Sequence, residues 1–258
     1  MQTILDKQYN KPSVFNPENL LREGRRQKSL PDCNVPEICV LDPDGDIVRY
    51  LQKNNLAELN NCWACYHSNL HTFHSNNQTL GIIGCVVGSS YAVLIAEQLF
   101  VSGCQLLISI TSAGIINPIE GSDFIIITES LRDEGTSYHY LPSDEKSEIN
   151  SSLLSRLNPI LSESNLFVSK GKSWTTDAPY RETQSAIDHA KSLGIIAVEM
   201  EAAALYAYAK AKNKSVVCFA HLTNTMAQQH GDFEKGEENG SVSALKLIEK
   251  TVEYLYKK

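Results

Sequence analysis

Two carboxylates flank a methionine at a point where an apolar segment gives way to an alanine-rich one. Residues 195–198 are followed by Glu199, Met200 and Glu201, and then by three alanines. Charges at such a junction are costly unless they are paired or bind a ligand. A carboxylate can accept both O–H groups of a vicinal diol, and a thioether can cover the apolar face of a sugar ring. Alternatively, Glu201 only complements the positive end of a helix.

A glycine-containing turn after another apolar run could bind an anion. Residues 38–41 form that run, and Gly45 and Arg49 follow it. Glycine lets backbone N–H groups approach an anion, and a guanidinium can pair with it. The alternative is a plain strand-to-helix turn with Arg49 facing water. Residues 88–91 also open a helix after an apolar run, but they match neither the dinucleotide-binding glycine motif nor the P-loop.

Three further segments are rich in polar groups. Residues 107–114 end a strand-like run in hydroxyls and small side chains, which could wrap a small polar ligand or could simply be packed with their hydroxyls satisfied. Residues 132–140 and 174–183 mix charged, hydroxyl and aromatic groups more densely than a routine connection does. All three segments are therefore candidates for a binding site.

Alternating strand-like and helical patterns must position these candidates. Short apolar runs predict strands at residues 38–41, 80–87, 105–110, 124–128, 195–198 and 215–220. Helical periodicity covers residues 91–102, 183–193, 201–212 and 242–257. The alternation predicts an α/β fold: a single domain with a mixed, largely parallel central sheet flanked by helices. Ligands of such sheets bind beyond the carboxyl ends of the strands, where the candidate residues lie.

Composition and charge exclude several classes of protein. The chain has 258 residues, of which 42% are hydrophobic, so it is typical of a folded protein. Its net charge of −7 argues against nucleic acid or anionic lipid as a partner, and the short basic run at residues 22–28 is interpreted as a solvated helix face. No apolar run approaches the roughly 20 residues of a membrane span, and residues 1–12 lack the apolar core of a signal peptide.

The cysteines favour a reducing compartment. There are seven, and Cys39, Cys85, Cys104 and Cys218 lie in apolar strand-like runs, where a free thiol behaves as a small hydrophobic group. We therefore predict a cytoplasmic protein. Cys62 and Cys65 have the C-x-x-C spacing of a zinc site, with three histidines nearby, but a second pair of ligands is needed to complete one.

With these residues identified, the sequence resembles the nucleoside phosphorylases of the purine nucleoside and uridine phosphorylase family, and its pattern is closest to the uridine phosphorylase branch. Residues 199–201 look like the ribose-binding signature of the family, and residues 45–49 are similar to its G-D-x-x-R phosphate loop. Residues 132–139 look like the R-x-D-G-x-S-x-H segment of that branch. The likeness extends from Ser13 to the C-terminal helix. It implies one α/β/α sandwich domain over residues 1–258.

The resemblance implies a role for each matching residue. Phosphate would contact Gly45, Arg49, Ser109 and Ser112. Ribose would contact Glu199, Met200 and Glu201, and the base would contact Tyr180, Arg181, Glu182 and Asn224. Of these, Arg49, Glu201 and Asn224 would be the catalytic residues. Because an amide cannot deliver a proton, Asn224 suits a base whose oxygen accepts charge, such as uracil or a 6-oxopurine.

Two positions depart from the family pattern. Ser109 stands where the family has an arginine that contacts phosphate, and a serine supplies no charge. Asn16 stands where a neighbouring subunit of the relatives lends a histidine to ribose. His67 and Arg132 are the residues considered as replacements for the missing arginine.

The resemblance implies phosphorolysis of a nucleoside to free base and (deoxy)ribose 1-phosphate. Inorganic phosphate would be the co-substrate, and no metal or organic cofactor would be needed. Residues 228–240 would form a flap over the site, the protein would be a dimer or hexamer, and the N-terminal extension of residues 1–34 would contact a neighbouring subunit. The alternatives are a nucleosidase that uses water in place of phosphate and a nucleoside-binding sensor without turnover.

Overall fold

Ten strands and seven α-helices are formed by the residues that the computed structural model describes, which are 7–144, 146–226 and 230–256. The strands are β1 (Ile38–Asp42), β2 (Ala57–Leu59), β3 (His71–Ser75), β4 (Gln78–Gly84), β5 (Leu106–Ile115), β6 (Phe124–Asp133), β7 (Lys146–Glu148), β8 (Val168–Thr176), β9 (Ala197–Glu199) and β10 (Ser215–Asn224). The helices are α1 (Pro17–Lys28), α2 (Asp46–Lys53), α3 (Ser89–Val101), α4 (Ser151–Leu157), α5 (Gln184–Ser192), α6 (Ala202–Lys212) and α7 (Ser241–Leu255).

The strands form one mixed sheet that partly closes on itself. Its order is β10-β6-β8-β9-β5-β1-β4-β3-β2, with β7 beside β6, and β10 also pairs with β5. The strands β5, β9, β8, β6 and β10 therefore form a closed ring, from which β1, β4, β3 and β2 extend. β1 is parallel to β4 and β5, and β10 is parallel to β5. The carboxyl ends of these four strands consequently meet at one edge.

Helices cover the sheet in two groups. α3 packs against α1 and α6, and α7 packs against α2 and α4. α6 is buried along residues 202–209, because its alanines let the helix approach its neighbours closely. This mixed α/β architecture of one domain confirms the predicted fold class. Within the described residues, no helix combines the length and the apolar character that crossing a membrane requires.

The predicted strands and helices are present, with shifts at their ends. β4 ends at Gly84 rather than at residue 87, because Cys85 adopts a left-handed φ of 61°. β8 was missed, because its sequence alternates hydroxyls, lysines and glycine without an apolar run. The basic run lies on α1, with Arg22, Arg26 and Lys28 exposed as predicted.

Some predicted features extend beyond the described residues. These are residues 1–6 of the N-terminal extension, residues 228 and 229 of the flap, and residue 257 at the end of the last predicted helix.

Candidate active site

Glu199 is the last residue of β9, and partners within the chain satisfy both of its carboxylate oxygens. Its Oε1 accepts hydrogen bonds from the hydroxyls of Thr175 and Ser173, the latter at 3.0 Å. Its Oε2 accepts from the backbone N–H groups of Glu201 and Ala202, both at 2.7 Å. Burial raises the pKa of Glu199. This carboxylate therefore joins β8, β9 and the beginning of α6.

Glu201 lies at the N-terminus of α6 and is only 1% exposed. Its Oε1 accepts the backbone N–H of Gly88 at 2.7 Å, whereas Oε2 has no hydrogen-bond partner among the described residues. The neighbouring Thr111 hydroxyl donates instead to the carbonyl of Ser112, at 3.3 Å. Burial, and then the charge of Glu199, raise the pKa of Glu201. A buried acceptor without a donor is uncommon, and this oxygen is therefore a candidate partner for a ligand hydroxyl.

The N-termini of α3 and α6 meet at this carboxylate. Gly88 precedes α3, and the hydroxyl of Ser89 donates to the backbone carbonyl of Met200 at 2.7 Å. Met200 is half-buried beside Glu201. The structure thus places these two predicted ribose contacts together and leaves one buried carboxylate oxygen without a donor among the described residues.

The predicted phosphate turn lies between β1 and α2. Gly45 has a φ of 75°, and a Cβ there would come within 2.7 Å of both the Arg49 guanidinium and the Cys85 sulfur, so this turn requires glycine. The Asp42 carboxylate accepts the N–H groups of Gly45 at 3.0 Å and Val48 at 2.9 Å. Burial raises the pKa of Asp42 to about 7. The Gly45 N–H is therefore already used inside the turn.

Ser112 and Arg49 lie on either side of two further carboxylates. The backbone N–H and the hydroxyl of Ser112 both donate to Oδ2 of Asp44, at 2.8 and 2.6 Å. Arg49 donates to Oδ1 of Asp46 at 2.6 Å and to the Asp44 carbonyl at 2.8 Å. Ser109 is buried in β5, farther back along the strand. We call Arg49, Ser112, Asp44 and Asp46 the anion corner.

A lysine that sequence reasoning missed completes this corner. Lys235 Nζ lies 2.6 Å from Oδ2 of Asp46 and 3.4 Å from Oδ1 of Asp44. No local pattern could have found it, since it lies 189 residues after Asp46. Asp44 was also missed, although it stands immediately before Gly45.

The predicted base-binding residues fall into two environments. Tyr180 is fully exposed and Arg181 is exposed, at a short 3-10 turn, while burial raises the pKa of Glu182. Asn224 is buried at the end of β10, opposite Gly114 of β5.

The Asn224 amide is held by its own strand end. Its Nδ2 donates to the Thr223 hydroxyl at 3.0 Å, and its Oδ1 accepts the Met226 N–H at 2.7 Å. One amide hydrogen is left over for a ligand, because an NH₂ group has two.

Arg132, His67 and Asn16, which bear on the two departures from the family pattern, have different surroundings. Arg132 is buried and donates to Ser137 and to the carbonyls of Leu141 and Pro142, so its guanidinium is used by its own loop. His67 lines a cleft of about 310 Å³ beside Arg49. The Asn16 side chain caps α1 by accepting the N–H of Asn19 at 3.0 Å.

The cysteines do not form a zinc site. Cys62 forms a disulfide with Cys33, so it is not available as a thiolate ligand, and Cys65 is a buried free thiol. The other four cysteines are free, and Cys39, Cys104 and Cys218 are buried as predicted, whereas Cys85 is exposed just beyond the end of β4. The described part of the chain contains no group of three or more candidate ligands arranged to hold a metal ion.

The fold and the site together define a class of α/β proteins in which a buried carboxylate and an anion corner lie at the carboxyl ends of the strands of a mixed sheet, where ligands of such sheets bind. A family model described as the phosphorylase superfamily matches residues 37–253. The chain belongs to this superfamily of nucleoside phosphorylases and nucleosidases, which confirms the family that the motifs predicted.

Two curated proteins are similar to parts of this chain, and one of them is a phosphorylase. A guanosine phosphorylase of Halorubrum lacusprofundi is 23% identical over 172 residues, which are 66% of this chain and 68% of that protein. An uncharacterized protein of Acanthamoeba polyphaga mimivirus is 32% identical over 146 residues, or 56% of each chain. The chain therefore spans little more than half the length of the mimivirus protein it matches.

Solved structures show the same fold. Uridine phosphorylase from Vibrio fischeri superposes with a TM-score of 0.70 at 19% identity, covering 87% of this chain and 93% of that one. A mutant of Helicobacter pylori MTAN, with 5′-methylthioadenosine in its active site, superposes with a TM-score of 0.68 at 15% identity, covering 86% of this chain and all of that one. At these identities the likeness concerns the fold alone.

Proposed function

We propose that this protein cleaves the N-glycosidic bond of a nucleoside by phosphorolysis, releasing the base and (deoxy)ribose 1-phosphate. The observation that carries the proposal is the buried Oε2 of Glu201, which lacks a donor within the described residues. A sugar hydroxyl is a suitable donor for this atom. Membership of the superfamily supports a nucleoside as the substrate, and the names of the relatives favour guanine or uracil as its base.

Glu201, Met200 and Asn224 have different roles in this reaction. Glu201 accepts a hydrogen bond from a ribose hydroxyl, and Met200 covers the sugar. A phosphate oxygen attacks C1′ while the C1′–N bond breaks, and the bonding electrons leave with the base. Positive charge develops on the sugar ring in the transition state, so an anion held beside C1′ stabilises it. The free amide hydrogen of Asn224 donates to the departing base, which takes its proton from solvent or phosphate because an amide cannot supply one.

Hydrolysis is the second candidate, and one contact favours it. Asp44 holds both donors of Ser112, and Ser109 adds no charge to the corner. If Asp44 keeps these donors during turnover, water rather than phosphate is the acceptor of the sugar.

The test is product analysis with and without phosphate. Purified protein is incubated with uridine, inosine and guanosine, and the sugar product is identified. We expect ribose 1-phosphate that forms only when phosphate is present. Free ribose at a rate independent of phosphate would establish hydrolysis instead, and nucleoside binding without any base release would contradict both reactions.

A substitution tests the role of Glu201. We expect Glu201→Gln to lower kcat/KM for the nucleoside at least tenfold, since a hydrogen bond to a charged group is worth about 1.5 to 3 kcal/mol. Glu120→Gln, which changes an exposed glutamate, is the matched control. Equal kcat/KM in Glu201→Gln and the control would remove Glu201 from the site.

A further inference from the structure

Asp44 occupies the place that a bound anion would take at Ser112. Its Oδ2 accepts both the backbone N–H and the hydroxyl of this residue, at 2.8 and 2.6 Å. Carboxylate and phosphate oxygens use the same donors. The donors for an anion are therefore present and held by an anion of the chain itself. The unpartnered oxygen of Glu201 lies at the same strand ends, which independently indicates that a ligand binds here.

Lys235 brings a second positive charge to this corner from a distant part of the chain. Its Nζ lies 2.6 Å from the Asp46 carboxylate and 3.4 Å from that of Asp44, and the side chain is only 14% exposed. The N–H of Glu234 donates to the carbonyl of Thr223 at 3.0 Å. The lysine is thus anchored beside the end of β10, next to the residue that would contact the base.

Charge, exposure and contacts indicate which carboxylate can move out of the anion corner. Arg49 and Lys235 face the carboxylates of Asp44 and Asp46, and Asp42, whose pKa burial raises to about 7, lines the same cleft. Withdrawal of one carboxylate would therefore reduce the repulsion of a bound phosphate dianion. Asp46 is 12% exposed and contacts both cations, whereas Asp44 is 30% exposed. Rotation of Asp44 toward solvent would free both donors of Ser112 and leave the two cations in place.

We propose that Lys235 supplies the second cation of the phosphate subsite, in place of the arginine missing at Ser109, and that Asp44 is an internal placeholder that phosphate displaces. This inference rests on the phosphorolysis proposed above. In this arrangement β5 provides no positive charge at Ser109, and Lys235, which follows β10, provides it instead. The competing explanation is that the Lys235 ion pairs only fasten residues 230–240 to the turn.

Direct binding of inorganic phosphate tests this inference. Isothermal titration calorimetry is carried out on the wild-type protein and on Lys235→Met, which keeps most of the length of the side chain and removes its charge. Lys53→Met is the matched control, because Lys53 binds Glu238 in the same segment without being part of the anion corner. We expect Lys235→Met to weaken phosphate binding at least tenfold, Lys235→Arg to restore most of it, and Lys53→Met to stay within twofold of wild type.

The placeholder is tested by Asp44→Ala, with Asp44→Asn as a second variant in case the alanine variant does not fold. Each removes the competing charge, so we expect phosphate to bind at least threefold more tightly. In steady-state assays, Lys235→Met should raise KM for phosphate and leave KM for the nucleoside unchanged. A purely fastening role would change both values, or neither.

The outcomes separate this inference from the proposed reaction. Wild-type phosphate affinity in a folded Lys235→Met would overturn the role of the lysine, and unchanged affinity in a folded Asp44 variant would overturn that of the placeholder. Phosphate binding that depends on Lys235, together with free ribose as product, would support the subsite but contradict phosphorolysis. A wild-type protein that binds no phosphate would overturn both.

Discussion

Two glutamates two positions apart have different roles at the same junction. Glu199 accepts four hydrogen bonds of 3.0 Å or less from β8 and from the start of α6. Glu201, in contrast, has one oxygen without a donor in the described structure. Their order along the chain does not distinguish them. The difference comes from the donors around Glu199: the hydroxyls of Ser173 and Thr175 bind one of its oxygens, and two backbone N–H groups at the start of α6 bind the other.

The raised pKa of Glu201 predicts that nucleoside binding releases protons. Burial favours the protonated form of the ligand-free side chain, while sugar O–H donors favour the ionised form, so binding lowers the pKa. Affinity should therefore rise with pH until it passes the raised pKa of the free protein, and level off above it. Calorimetry of uridine or inosine binding at neutral pH, in buffers of different ionisation enthalpy, measures the release.

Glu201→Gln serves as the comparison for this measurement, since glutamine cannot titrate. We expect proton release to disappear in the variant while weaker binding remains detectable. Equal release by both proteins would assign the proton to another group. No release by wild type would mean that the ligand leaves the protonation of Glu201 unchanged.

At the scale of elements, the junction of β8, β9 and α6 depends on the Glu199 carboxylate. Glutamine in its place cannot accept at both positions, so buried N–H or O–H donors lose their partner. We expect Glu199→Gln to reduce the free energy of unfolding by at least about 2 kcal/mol. Urea denaturation measures the change, with the exposed Glu148→Gln as a control expected to stay within about 0.5 kcal/mol of wild type. Equal stability of the two variants would contradict a structural role for Glu199.

The same junction was only partly predictable from the sequence. The apolar run and the two glutamates predicted that a strand meets a helix there, because burial and charge are local properties of the chain. β8 was not predictable in this way, since Lys170, Gly171 and Lys172 interrupt any apolar run. The two hydroxyls that bind Glu199 lie on that strand, so the division of roles between the glutamates depends in part on a contact that the sequence did not reveal.

The anion corner was partly predictable for a similar reason. Gly45 and Arg49 lie only four positions apart, so a phosphate loop could be suggested from a local motif, although the spacing alone also allowed a plain turn. The contact between Asp44 and Ser112 joins residues 68 positions apart, and Lys235 comes from the far end of the chain. Charge pairs of this kind arise from the ring in which β10 and β5 are neighbours, and no periodicity in the sequence encodes them.

At the scale of the whole molecule, the disulfide between Cys33 and Cys62 fastens the segment after α1 to the loop that precedes β3. The two cysteines are 29 residues apart. Closing a loop of that length restricts the unfolded chain and is worth about 3 to 4 kcal/mol. The loop continues through the buried Trp63 and Cys65 to His67, which lines the cleft beside Arg49. The link therefore bears on both stability and the outer wall of the site.

The disulfide predicts a specific thiol count. In denaturant without reductant, five of the seven cysteines should react with a thiol reagent, and all seven should react after reduction. A Cys33→Ser/Cys62→Ser double variant should also show five reactive thiols. Its free energy of unfolding, measured by urea denaturation, should be lower than that of the oxidised wild type by about 3 to 4 kcal/mol, the value of loop closure. Cys39→Ser, which removes a thiol outside the link, should show four. Seven reactive thiols in protein purified under oxidising conditions would mean that Cys33 and Cys62 are not joined, and the free energies of the wild type and the double variant should then coincide.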